Sequence, residues 1–336
     1  MKKYSILFMA IATILFISCS KDDDDNDYDD GTWDTIEITV DVTKVPMEVG
    51  PCRGSQPEEI HVTWGDGSSG SGLEDTYSHT YTTPGNYKIT MKVRNMKIFT
   101  AWHYYSSIHF KDCSALEWIR CYSLGGSSKD TLTMPKTVKI ENCPNLVDVN
   151  LSDQRVKNLE IENCPKINTI MCDNHKLSSL NLNLPLLEEL DCSYGRTLKE
   201  LDLSHLPALK TLNCSGNELS DIDLKKCSNL VELNCSYNQL TELNLGNCCE
   251  LTELDCSNNK FTELDVSNNT KLKYLNCEYT SDVDKCNLET IWVWEGFDLK
   301  YWSVPEGVKF MKKQESNITN NESYNSNYFN TTSLLM

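Results

Sequence analysis

The chain has 336 residues, 39% of them apolar and 24% charged, and a formal charge of −18. That length allows two domains of ordinary globular composition. The excess of carboxylates excludes a nucleic-acid partner, because phosphate binding needs Lys and Arg to displace condensed counterions.

Lys2 and Lys3 precede the apolar run YSILFMAIATILFIS. This run is too short to span a bilayer comfortably and has the length of a signal-peptide core, so residues 1–18 are expected to be a signal peptide. Its end at Ser18-Cys19 resembles a bacterial lipobox cut before Cys19. The resemblance implies acyl chains, palmitate among them, on Cys19; an ordinary signal peptide is the alternative. Ser20, Lys21 and the acidic run Asp22, Asp23, Asp24, Asp25 follow, and seven Asp fall within nine residues. Charges at that density repel and bury nothing, so residues 19–31 read as a solvated linker. The same stretch resembles the lipoprotein export signal of Bacteroidetes, which implies a lipid anchor in the outer membrane and a chain facing the cell exterior.

From Trp33 the pattern turns to the alternation of strands, in TIEITVDV, IHVTWGDG and YSHTYTTPGNYKITMKV. Gly65-Asp66-Gly67 and Pro84-Gly85-Asn86 supply tight turns between them. Residues 32–97 therefore predict a small β-sandwich. Trp64, Gly65, Asp66 and Gly67, then His79, Tyr81, Pro84, Gly85 and Tyr87, resemble the motif of a PKD domain, an immunoglobulin-like fold. The resemblance implies a spacer or adhesion module, with Tyr81 as a corner tyrosine tied to the backbone and with Asp66 and His79 in structural roles.

Residues 98–312 are repetitive: Cys172, Cys192, Cys214, Cys235, Cys256 and Cys277 follow one another at 20 to 22 residues. With Leu251, Leu254, Cys256, Asn259, Phe261, Leu264 and Val266 as one unit, this is the L-x-x-L-x-L/C-x-x-N-x-L pattern of a leucine-rich-repeat solenoid with repeats of about 21 residues. The fold class is thus mainly β, a sandwich followed by a solenoid. Strand geometry turns Leu254 and Cys256 inward and Glu253, Asp255 and Ser257 outward. At one inward position the chain reads Cys121, Leu151, Cys172, Cys192, Cys214, Cys235, Cys256, Cys277. Exchange of Cys with Leu there marks an apolar filler rather than a metal ligand. Cys143, Cys164, Cys227 and Cys248 form a second column at the far turn. Asn217, Asn238 and Asn259 are expected to form a buried hydrogen-bond ladder.

The insert SLGGSSKDTLTMPK is expected to loop out. The aromatic run FTAWHYYSSIHF with Trp118 is expected to cap or join the first coil, and Trp292, Trp294, Phe297, Tyr301 and Trp302 to close the last; a sugar platform is the alternative for these rings. The Asn- and Ser-rich residues 313–336 read as a disordered tail.

Outward positions remain for function. Asp255 and Glu232 and Glu253 make an acidic, amide-rich face, and Tyr194, Tyr237 and Tyr279 stand on a rim two residues after the core Cys, with Gly216 and Asn258 in the coils between. Tyrosine suits an interface because it joins apolar area to a polar tip. No Ser-His-Asp, Cys-His or metal constellation is evident, and the six His are scattered, so neither catalysis nor a cofactor nor a metal is expected. The repeats resemble the internalin-like leucine-rich repeats of Bacteroidetes surface lipoproteins. The expected function is recognition of a host or bacterial protein partner through the solenoid face; the alternatives are a glycan-binding accessory lipoprotein and, remotely, a hydrolase.

Overall fold

The stretch DTIEITVDV alternates strictly, and in β1 (Asp34–Val42) Ile36, Ile38, Val40 and Val42 are buried as that alternation requires. The computed structural model describes residues 33–313 apart from 43–44, 46, 55–58, 73–75, 102–104, 122–136 and 280–286. The signal peptide, Cys19, the export segment from Ser20 to Asp25, the insert SLGGSSKDTLTMPK, Trp102, His103 and Tyr104 of the aromatic run, and the tail beyond Lys313 lie outside the described residues.

The first seven strands are β1, β2 (Met47–Gly54), β3 (Glu59–Thr63), β4 (Ser69–Gly72), β5 (Thr76–Tyr81), β6 (Gly85–Arg94) and β7 (Ile98–Ala101). They make two antiparallel layers, β8 (Ser107–Lys111)-β1-β6-β3-β4 and β7-β2-β5. Tyr81 is buried, its hydroxyl donates to the Trp64 carbonyl at 2.6 Å, and its ring stacks on Tyr87 with centroids 4.2 Å apart. Asp66 accepts from Ser68 and from His79 Nε2, and the Ser68 hydrogen bonds, with a smaller part from His79, hold its carboxyl at about 2.

Both layers continue without interruption into the repeats. Strand β8 pairs antiparallel with β1 on one side and parallel with β10 (Thr137–Glu141) on the other, and β7 likewise joins antiparallel β2 to parallel β9 (Trp118–Cys121). The expected joining run thus supplies the two strands at which pairing changes sense; Phe99 and Phe110 pack edge-to-face between them at 5.1 Å. The join leaves no uncovered coil end on this side.

Beyond the join one parallel sheet runs through β9, β11 (Asp148–Asn150), β13 (Thr169–Met171), β15 (Glu189–Asp191), β17 (Thr211–Asn213), β18 (Glu232–Asn234), β19 (Glu253–Asp255), β21 (Tyr274–Asn276) and β23 (Trp302–Ser303). The opposite layer is interrupted: β10 with β12 (Asn158–Glu162), then β14 (Ser179–Asn181) with β16 (Glu200–Asp202), a lone bridge at Asn244 and Asp265, and β20 (Glu263–Asp265) with β22 (Thr290–Val293) and β24 (Lys309–Lys312). No helix occurs among the described residues, so none is long and apolar enough to cross a membrane.

Between the layers, Val149, Ile170, Leu190, Leu212, Leu233, Leu254 and Leu275 stack in register, one per coil. The Cys121-to-Cys277 column lies beside them, every member buried. Cysteines Cys113 to Cys277 are all free thiols, and only Cys249 is exposed. Burial pushes the thiols of Cys192, Cys235 and Cys256 well above their ordinary range and that of Cys214 to about 12, which suppresses the reactive thiolate. At the far turn Cys113, Cys143, Cys164, Leu184, Leu206, Cys227 and Cys248 are buried, and Asn269 ends the series with its amide donating to the Leu245 and Cys248 carbonyls. The last coils are closed by Trp294, Phe297, Trp302 and Phe310, whose ring centroids lie 5.4 to 6.4 Å apart.

Candidate recognition surface

Each coil of the long sheet places two side chains outward, three residues of strand being enough for one i, i+2 pair. The first outward row reads Asp148, Thr169, Glu189, Thr211, Glu232, Glu253, Tyr274 in direct register. Adjacent members stand about 4.8 Å apart, the strand spacing. Glu232 and Glu253 are thus direct neighbours, and among the described residues neither Glu189, Glu232 nor Glu253 has a salt bridge. Burial, and behind it Glu253, raises the Glu232 carboxyl; burial, then Asp191, Asp148 and Glu232, raises that of Glu189. Burial and the surrounding carboxylates likewise push the Tyr274 hydroxyl up to about 12.

The second row, Asp191, Asn213, Asn234, Asp255 and Asn276, is turned to another use. Each side-chain oxygen accepts the backbone N–H two residues on, at 2.9 to 3.3 Å, and so ends the strand in a side-chain-mimicked turn. Asp255 Oδ1 takes the Ser257 N–H and hydroxyl while Oδ2 accepts from Asn276 Nδ2 at 3.0 Å. The expected outward direction of Ser257 is therefore corrected. The strand ends at Asp255, alternation ends with it, and Ser257 is buried with its hydroxyl donating back to Asp255 at 2.6 Å.

The rim follows. Asp153, Asn174, Tyr194, Gly216, Tyr237 and Asn258 all have positive φ, from 53° to 66°. Their N–H groups each donate to the next coil. Gly, Asn and Asp tolerate this left-handed backbone; a bulky side chain is an outlier there. Tyr194 and Tyr237 nevertheless occupy it, with 57% and 54% of their surface exposed. A Cβ on Gly216 would come within 3.1 Å of Tyr194 Cδ1, so the ring leans over the glycine between the two tyrosines. Two coil spacings put Tyr194 and Tyr237 about 10 Å apart along the ridge. Tyr279 is separated from this pair: it is half-buried and lacks the positive φ.

Beneath the rim lies the amide ladder. Asn217, Asn238 and Asn259 each donate to the core Cys carbonyl of their own and the preceding coil at 2.8 to 3.1 Å. His175 holds the same offset from Cys172 that Asn217 holds from Cys214, a signal present in the sequence and missed there. It is 1% exposed; Nδ1 accepts from the Leu177 N–H at 2.9 Å, so Nε2 carries the proton and donates to the Cys192 carbonyl at 2.9 Å. Burial lowers its pKa. The ring fills the space above Gly195, where a Cβ would sit 2.2 Å from it.

Two concavities open on the surface. A groove of about 770 Å³ lies over the interrupted layer between Asp223, Glu242, Asn244, Glu263 and Trp292. Trp292 is thereby separated from the closing aromatic cluster: its ring faces the groove and its Nε1 donates to Glu263 at 3.3 Å. A recess of about 410 Å³ lies at the rim between Arg155, Lys176, Arg196 and Tyr194, with Asp153 and Asp173 also in its lining. Among the described residues no group of three His, Cys, Asp or Glu is placed to hold a metal ion.

Residues 207–247 match the family described as leucine-rich repeats, two copies. With the stacked coils on both sides of that segment, the chain carries leucine-rich repeats. No curated protein matches it. Among solved structures it is similar to the functional domain of InlJ from Listeria monocytogenes, which includes a cysteine ladder, at 23% identity over 61% of this chain and 52% of that one with a TM-score of 0.41. It is also similar to YopM from Yersinia enterocolitica WA-314, at 18% identity over 59% of this chain and 46% of that one with a TM-score of 0.35. The chain spans about half the length of these structures.

Proposed function

We propose that this leucine-rich-repeat protein is a non-catalytic recognition protein, held at the outer face of the outer membrane through Cys19, that binds a protein partner along the ridge of Tyr194 and Tyr237. The observation that carries the reading is the backbone at those two positions. Each tyrosine sits in a left-handed conformation that costs on the order of 1 kcal/mol or more, with more than half of the residue's surface exposed. A ring so placed offers a partner both apolar area and a polar tip, the make-up of an interface anchor. The acidic row of Glu189, Glu232 and Glu253 adds a field that speeds encounter with a basic patch. Asp255, held in its turn by Ser257 and Asn276, shapes the edge of that row.

Binding of purified protein to host-protein and bacterial-protein arrays tests this. Wild type is expected to bind a partner that a Tyr194→Ala/Tyr237→Ala variant loses, with slower association at higher salt; equal binding by the two proteins contradicts the reading. The anchor has its own check, since Cys19→Ala should move the protein out of the membrane fraction.

One observation favours a second reading, a glycan ligand: Trp292 presents its ring to the groove beside Glu263 and Asn244. Glycan-array binding that vanishes in Trp292→Ala and ignores salt would identify it.

A further inference from the structure

Arg155, Lys176 and Arg196 each follow a core position, Leu151, Cys172 and Cys192, by four residues. They therefore stack on three successive coils at about 4.8 Å per step. Like charges so stacked repel, and the chain carries carboxylates in excess that could have offset them. Yet among the described residues none of the three is in a salt bridge; the Lys176 ammonium donates to the Gly195 carbonyl at 3.1 Å. Two carboxylates, Asp153 and Asp173, line the same recess, so the cations exceed them by one, and both carboxylates accept from neutral donors. Asp153 accepts from Asn174 Nδ2 at 2.7 Å, and Asp173 accepts from the Ser152 hydroxyl. Arg155 and Arg196 also share the tyrosines' left-handed backbone, with φ of 52° and 56°. Together with the Tyr194 ring they bound the recess of about 410 Å³, the size of one or two side chains rather than of a folded element.

We infer that this recess is the subsite for an acidic side chain of the protein partner, its carboxylate held by the Arg155 and Arg196 guanidinium groups and its flank resting on Tyr194. This rests on the protein-recognition reading above and adds the partner's chemistry. Guanidinium groups suit the task because their fixed fork matches a carboxylate's two oxygens. The occupant is a polypeptide because the cations and the acidic row share one set of coils: Glu189 and Tyr194 belong to the same coil, with Glu232 and Glu253 further along. A ligand that spans both must carry both signs of charge. A protein segment does, whereas a polyuronate carries one sign and is repelled by the acidic row.

The test uses the full chain and three probes at low ionic strength: a peptide with three Glu and three Lys separated by a Gly-Ser spacer, the same peptide with Gln for Glu, and tetragalacturonate. Isothermal titration is run on wild type, Arg155→Gln/Arg196→Gln and Tyr237→Ala, with thermal melts to verify folding. Wild type should bind the Glu-Lys peptide about tenfold more tightly than the Arg double variant does, equivalent to about 1.4 kcal/mol, and more tightly than it binds the Gln peptide. Equal binding of that peptide by wild type and the double variant, or tetragalacturonate binding with the peptide silent, overturns the subsite. Tyr237 lies outside the recess, so the two readings separate. Loss of array partner binding in Tyr237→Ala with no effect of the Arg substitutions rejects the subsite and keeps the ridge, while no effect of Tyr237→Ala on that partner rejects the ridge itself.

Discussion

Single residues in this solenoid are set by their offset from the core Cys, and His175 shows what the offset demands. Asn217, Asn238 and Asn259 meet the demand with one amide each; His175 meets it with a neutral ring that both accepts and donates. Protonation would place a second N–H against the Leu177 N–H. Because burial lowers the folded pKa below its value of about 6.5 in the unfolded chain, the unfolded state binds more protons in the interval between them. Stability is therefore fully present above about pH 6.5 and is lost as pH falls from there toward the folded value. His175→Asn, which restores the ladder's usual residue, is expected to flatten the dependence of the thermal midpoint on pH between 7.5 and 5.5 relative to wild type. Parallel slopes for the two proteins would show that His175 does not titrate with unfolding.

At the scale of the coil, the cysteine column is apolar filling, and Leu151 takes the place of Cys in one layer. Cys235 is fully buried between Cys214 and Cys256. Cys235→Ser buries a hydroxyl in that apolar column and should destabilise by roughly 1–3 kcal/mol. Cys235→Val keeps the column apolar and should cost less. Urea unfolding of both variants checks the order, and a Val variant less stable than the Ser variant would mean that volume, not polarity, governs the column. The column, the Leu stack and the Asn ladder were legible in the sequence because each depends only on an offset within one repeat. The inward turn of Ser257 was not, since it depends on where the strand ends, and that is decided by the Asp255 side chain capturing the N–H two residues on. The left-handed rim left a trace in Asp153, Asn174, Gly216 and Asn258, residues that share that backbone state, but their company with Tyr194 and Tyr237 masked it. The stacking of Arg155, Lys176 and Arg196 was open to the same offset reasoning and was overlooked among a majority of acidic residues.

For the molecule as a whole, the continuity of both layers through β7 and β8 was hidden from the sequence, because pairing between β1 and β8 links residues some seventy positions apart and carries no periodic mark. Its consequence is that the repeats lean on the sandwich. A fragment of residues 98–313 would uncover the edges of β7 and β8 together with Phe99 and Phe110, an open template for association. Such a fragment is expected to aggregate, and a soluble monomer with a single cooperative melt would show that the repeats are self-sufficient.

If Tyr194 and Tyr237 serve recognition, they are kept on the ridge at the fold's expense. Thermal unfolding of a Tyr194→Asn/Tyr237→Asn variant tests it without any partner in hand, since Asn accepts the left-handed backbone more readily than Tyr. The expected midpoint is equal to or above that of wild type, by about 2–4 °C for each kcal/mol of relieved strain. A midpoint several degrees lower would mean that the rings pack for the fold, and the ridge would lose its standing as a recognition surface.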